Sequence, residues 1–315
     1  RAGLAWQPFG TTGRLVLGGG YGWFNQTPVF SANGGSAPLF NAAPFAQTFT
    51  NSDSSNGTAS FANPFPATTL GFVPRTPTSK LSDRIAGPDY RIPRLQQWNA
   101  SAKLRLMKDL FFDLGYVGST GSRLLRSRGL NQPLLIPGSS TALNAPLRVP
   151  VLGETPTALL ASEFAGSSSY HSLQATLRRQ FARGLAFQAA YTLSRAENDT
   201  TTYNDQTTPA ASRGRASFDR THRLITNFNY QFPTPKALPR LLNTLLADWS
   251  AAGIAIVQSG MPMTLTDPAG GSVYGRAGTS TITLCPGANL ATTGSISERM
   301  NHWINLAAIC PAPAL

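Results

Sequence analysis

The sequence predicts an all-β chain whose antiparallel strands form part of a transmembrane up-and-down β-barrel, about eight strands with long extracellular loops. Three observations carry that reading. Oily and polar residues alternate with a period of two over several stretches, as on a strand whose side chains point to opposite faces. The stretches come in pairs joined by short links, while the pairs are separated by long runs rich in Gly, Pro, Ser, Thr and Asn. Only 13% of the 315 residues are charged, against roughly 25% in soluble domains.

The elements follow in chain order. Residues 1–8 (RAGLAWQP) and 14–24 (RLVLGGGYGWF) flank the turn FGTTG. Residues 95–106 (LQQWNASAKLRL) and 110–118 (LFFDLGYVG) flank MKD. In the first of these, Gln97, Asn99, Ser101, Lys103 and Arg105 share one side, and Trp98, Ala100, Ala102, Leu104 and Leu106 the other. Residues 170–181 and 185–194 meet at Ala182-Arg183-Gly184. Ser172, Gln174, Thr176, Arg178 and Gln180 oppose Leu173, Ala175, Leu177 and Phe181; Leu185, Phe187, Ala189, Tyr191 and Leu193 oppose Gln188, Thr192 and Ser194. Residues 219–232 and 248–260 close the series around a Pro-containing link, 233–247.

Between the pairs lie 25–94, 119–169 and 195–218, with a tail from 261. Structureless connections of such length argue against an ordinary compact domain. Strict alternation of short and long connections is instead the layout of outer-membrane barrels. The runs span 8–14 residues, bracketing the roughly 9–11 that cross a bilayer when tilted. No apolar run approaches the roughly 18–20 residues of a spanning helix. Trp6, Phe112, Phe181, Phe232 and Trp249 fall near the short-turn end and Trp23, Trp98, Tyr116 and Tyr191 near the other, as two interfacial girdles. His171 and Arg179 interrupt the oily face near strand ends, where a long cation can snorkel.

RLVLGGGYGWF, RLQQWNASAKLRL, FFDLGYVGSTGSRL, YHSLQATLRRQFARGLAFQAAYTLSRA, FDRTHRLITNFNYQFP and DWSAAGIAIVQSGMPMT occur in that order, followed by ERMNHWINLAAI (298–309). The ordered set resembles the barrel of TonB-dependent outer-membrane receptors of the Oar-like type abundant in Acidobacteria. The resemblance implies active import of a scarce nutrient, with outer-membrane lipid, the TonB complex and a small nutrient, glycan or peptide ligand as partners. It implies neither a cofactor nor an enzymatic reaction. It also implies an N-terminal plug, a TonB-contacting segment and further C-terminal strands. None of these is legible here, so residues 1–315 read as an internal part of a single barrel domain located in the bacterial outer membrane.

Other chemistries find little support. His171, His222 and His302 show no metal-ligand spacing. No GxSxG nucleophile elbow occurs. GGGYG (18–22) and GSTGS (118–122) lack the Lys-Ser/Thr ending of a phosphate loop; Gly18, Gly20 and Gly22 are better read as an empty patch on the lumen side where a plug approaches. The 26 Lys+Arg against 14 Asp+Glu give a net charge of +12, but the cations are scattered and no aromatic–basic module for nucleic acid appears. Lys103, Arg105, Arg178 and Arg223 all fall on the polar face and are candidates for a lumen potential favouring anionic solutes, or for pairing with plug carboxylates. The run Asp219–Arg223 reads as a rim ion-pair network. Cys285 and Cys310 are expected to form a disulfide, since the tail begins outside the reducing cytosol; a partner for Cys310 beyond this chain would leave both thiols unpaired. A porin-like passive channel and a secreted β-rich adhesin are the competing functions.

Overall fold

The computed structural model describes residues 1–10, 13–26, 84–86, 89, 91–136, 138–156, 159–200, 205–207, 212–233, 249–267, 273–274 and 280–310. Its main strands are β1 (Ala2–Trp6), β2 (Leu15–Asn25), β4 (Arg94–Arg105), β5 (Leu110–Gly129), β6 (Leu160–Ala182), β7 (Leu185–Asn198), β9 (His222–Gln231) and β10 (Ser250–Gln258). They lie side by side in that order, each antiparallel to the next. This is an eight-strand meander: tight links dictate the β1–β2, β4–β5 and β6–β7 pairings, because they leave their two strands no partner nearer than each other, and the longer connections keep the same neighbour order. Two short pieces from long connections join it: β3 (Arg84–Ala86) lies parallel to the start of β6, and β8 (Gly214–Arg215) pairs with the end of β7.

The β6–β7 link shows how local chemistry sets register. Arg183 (φ 52°) and Gly184 (φ 79°) both take positive φ, the condition for a two-residue type I′ turn whose twist matches its strands. Gly184 is required twice over. A Cβ there would sit 2.6 Å from the carbonyl oxygen of Gln231 on β9, and the same approach lets the Gly184 carbonyl accept a hydrogen bond from Gln231 N–H at 2.7 Å. Once the turn is fixed, Leu177 faces Ala189 and Gln174 faces Thr192. A slip of one residue would put every oily side chain on the wrong face.

Two strands are longer than the sequence pattern shows. β5 has 20 residues and β6 has 23, so much of the stretch 119–169 is sheet rather than loop. The reason lies in the residues. GSTGSRLLRSRG carries no alternation, as expected of a strand segment in which neither face has to be uniformly oily. A bulge at Arg123 (φ 58°) marks the change. Above it Glu163 accepts from Arg126 Nε at 2.8 Å and Arg128 Nε at 3.1 Å, tying the two strands with charge in place of oil.

The distribution of burial argues against a sandwich. Among the described residues, buried apolar side chains are few and sit at the loop end or in the tail: Ala145, Val149, Ala161, Phe164, Ala196, Ala216 and Ala308. Many large apolar side chains on or beside the strands stay exposed, among them Leu4 (74%), Trp6 (57%), Leu173 (45%), Phe228 (47%) and Trp249 (62%). Two packed sheets would have hidden them.

Past β10 the chain makes a small separate cluster. β11 (Thr266–Asp267) pairs with β12 (Ser280–Thr281), and β13 (Thr283–Leu284) with β14 (Ile309–Cys310). Helix α1 (Ile296–Asn301) starts on a capping box, with Ser295 Oγ accepting from Glu298 N–H and Glu298 accepting from Ser295 N–H at 2.7 Å. The Ser295 N–H bond first, and then the Ser295 hydroxyl donating to the same carboxylate at 2.8 Å, hold the Glu298 carboxyl below its ordinary range. Cys285 and Cys310 are joined by a disulfide with Cα atoms 5.0 Å apart, across a separation of 25 residues that encloses α1.

Candidate functional site

The register sorts the strand residues into two faces. Val16, Lys103, Asp113, Thr176, Ala190, Ile225 and Ile256 form one row across the polar face. Arg105, Phe111, Arg178, Gln188 and Asn227 form the row nearer the short turns. Gly18, Ser101, Gly115, Gln174, Thr192, Arg223 and Gln258 form the row nearer the long connections. Lys103, Arg105, Arg178 and Arg223 thus share one face but not one place. Lys103 stands opposite Asp113. Arg178 lies over the Phe111 ring, 5.5 Å from its centre. Arg105 lines a shallow hollow at the turns with Arg14 and Lys108. Arg223 enters a recess at the other end, formed among the described residues.

That recess, of about 580 Å³, is floored by Gln174, Thr192, Arg223 and Gln258 from four neighbouring strands, with Tyr170, Ser194 and Ala196 above them. Phe218, Asp219 and Arg220 wall it. The run Asp219–Arg223 therefore does more than pair charges at a rim. Asp219 is buried, accepting from Ala196 N–H at 2.8 Å and meeting Arg215 at 2.7 Å. Arg220 donates to the Ser259 carbonyl at 2.9 Å. The sequence hid this site because Phe218 and Arg220 come from a turn, which has no period to place them.

The glycine patch is not vacant. A Cβ at Gly18 would meet Ser101 Oγ at 2.9 Å, one at Gly20 the Asn99 side chain at 3.2 Å, and one at Gly22 the Phe24 ring at 2.7 Å. Neighbouring side chains fill that space, and this corrects the expectation of an empty landing for a plug.

Three long connections meet at the far end. Asn131 donates to the carbonyls of Val151, Glu154 and Thr155 and accepts from Val151 N–H. Gln206 accepts from Gly129 N–H at 3.1 Å and donates its own N–H to Gln132 at 2.5 Å, while Gln132 donates to Asp205 at 2.7 Å. Buried Arg148 donates to Asn144 Oδ1 and to the carbonyls of Leu134, Thr141 and Val273. The Tyr274 hydroxyl is pushed up by burial and then by the Asp205 charge. Segments 129–136, 138–156, 205–207 and 273–274 so form one hydrogen-bonded cap.

The opposite face is oily and edged with aromatics. Phe228 covers Gly253 and Trp98 covers Gly118, each the directly paired residue across the ladder. The hydroxyls of Tyr116 and Tyr191 lie 2.7 Å from Nδ1 of His171 and His222. Arg179 bonds Asp109 at 3.1 Å beside the turn. The polar breaks in this face are therefore matched where they stand. Among the described residues no group of His, Cys, Asp and Glu could hold a metal ion, and no helix is long and apolar enough to cross a membrane.

A family model described as "Outer membrane beta barrel domain" matches residues 1–315. The chain belongs to that family. No curated protein and no solved structure matches it. As an outer membrane β-barrel domain it resides in the bacterial outer membrane, and its oily face meets lipid. The polar face of this barrel domain, with the recess and the row of Gln174, Thr192, Arg223 and Gln258, is then the inner wall. One strand of the domain departs from the pattern: β10 turns Ile254 and Ile256 to the polar face and Gly253 and Ala255 to the oily one. Nothing in the structure explains that inversion.

Proposed function

We propose that this barrel domain belongs to a TonB-dependent receptor that imports a scarce nutrient, with solute entering at the end where the long connections gather. The observation that carries the reading is the cap itself. Three connections far apart in sequence are bonded into one body at one mouth, and a built mouth suits selective capture better than free diffusion. The ordered receptor-like phrases support the same reading. On this proposal the domain is no enzyme; it supplies wall, mouth and ligand contacts, and energy arrives through the plug and TonB-contacting segment that the resemblance implies. A passive channel would use the same polar wall. Uptake in whole cells separates the two. Active import should stop when the proton-motive force is collapsed or TonB is deleted. Steady conductance in planar bilayers, with uptake indifferent to both treatments, would establish the passive channel instead.

A further inference from the structure

The recess beside β9 has the chemistry of an anion site. Arg223 makes no hydrogen bond or ion pair with its side chain among the described residues, and its neighbours Gln174, Thr192 and Gln258 are neutral. Arg220 adds a second guanidinium, held at one nitrogen by the Ser259 carbonyl. The carboxylate in the wall, Asp219, is 3% exposed, with one oxygen bonded to Ala196 N–H and the other 2.7 Å from Arg215, which sets its charge against Arg215 rather than Arg223. Phe218, 69% exposed, offers a bare ring at the wall. A cavity with a few converging polar groups and one apolar side is the usual form of a small-ligand site. Two guanidinium forks select planar or tetrahedral oxyanions, which they can bind through paired N–H groups.

We propose that this recess binds a small solute carrying a carboxylate or phosphate group, with Arg223 and Arg220 on the oxyanion, Gln174, Thr192 and Gln258 on its polar flank, and Phe218 against its apolar part. The inference rests on the polar face being the inner wall, and it narrows the nutrient class to anions. It also separates Arg223 from Lys103, Arg105 and Arg178, which share its face but lie outside the recess.

Probe binding to the barrel protein in detergent, at physiological salt, tests it. Benzoate and phenyl phosphate serve as carboxylate and phosphate probes, and benzamide as a neutral match. Saturable binding of at least one anion, weakened tenfold or more by Arg223→Gln, partly restored in Arg223→Lys and unchanged in Arg105→Gln, is the expected result. Which anion binds tells carboxylate from phosphate. Equal loss in Arg105→Gln would show only a diffuse lumen potential, and overturn the site. Benzamide binding as well as the anions, or no saturable anion binding, would overturn it too. The import proposal stands or falls separately: a TonB-independent pore whose anion binding still requires Arg223 keeps the recess and loses active transport.

Discussion

Leu177 and Ala189 face each other across the β6–β7 ladder, and Thr176 and Gln188 lie one residue away on the opposite face. This single-residue alternation is where the membrane acts on the sequence. A guanidinium placed at Leu177 or Ala189 has to enter hydrocarbon, whereas at Thr176 or Gln188 it meets the polar wall. Leu177→Arg or Ala189→Arg should therefore cost about 2–4 kcal/mol near the bilayer midplane, and Thr176→Arg or Gln188→Arg much less. Unfolding the barrel protein from lipid vesicles in denaturant measures all four, and equal penalties would invert the face assignment. The same scale explains why some anomalies are silent. Arg179 interrupts the oily face, but Asp109 sits 3.1 Å away, so the charge is matched where it stands.

Among elements, the closing cluster offers the clearest test. The disulfide holds β13 to β14 and encloses α1, and the capping box stabilises a helix of only six residues. Such a helix is too short to persist alone. In the chain-entropy account, closing a loop of about 25 residues is worth roughly 3–4 kcal/mol, though measured values are often smaller. Cys310→Ser should therefore loosen 285–310 and leave the main sheet intact. Hydrogen exchange of the variant in the native barrel protein should show α1 amides losing protection while those of β6 and β7 keep theirs. Alkylation without reductant is the direct check of the pairing: thiols at both positions that react freely would remove this element from the account.

For the whole molecule, the decisive feature is what the strands lack. β1 pairs only with β2, and β10 only with β9, so each leaves one row of backbone N–H and C=O groups without a ladder partner among the described residues. Hydrocarbon cannot satisfy those groups, and exposed edges pair with other chains in water. Together with the exposed oily face, this predicts that the 315-residue chain expressed by itself stays aggregated unless detergent is present. Gel filtration coupled to light scattering should show heterogeneous, high-mass material. A monodisperse soluble monomer that melts cooperatively would refute the lipid-facing reading at its root.

The alternation of LQATLRR and LAFQAAYTL, the Arg-Gly turn between them and the rhythm of short and long links determined the strands, their antiparallel order and their two faces. These are local properties, since period two, turn chemistry and hairpin length each act over a few residues. The upper halves of β5 and β6 were not legible, because neither face there has to be uniformly oily and the pattern stops. The recess and the cap were not legible either. Arg223 could be put on a face, but its meeting with Arg220 and Phe218 depends on how the turn before β9 folds back over four strands. Arg148 gives no hint in sequence that it holds carbonyls from Leu134 to Val273. Contacts across such separations are set by the three-dimensional path of the chain, and only the tertiary structure decided them.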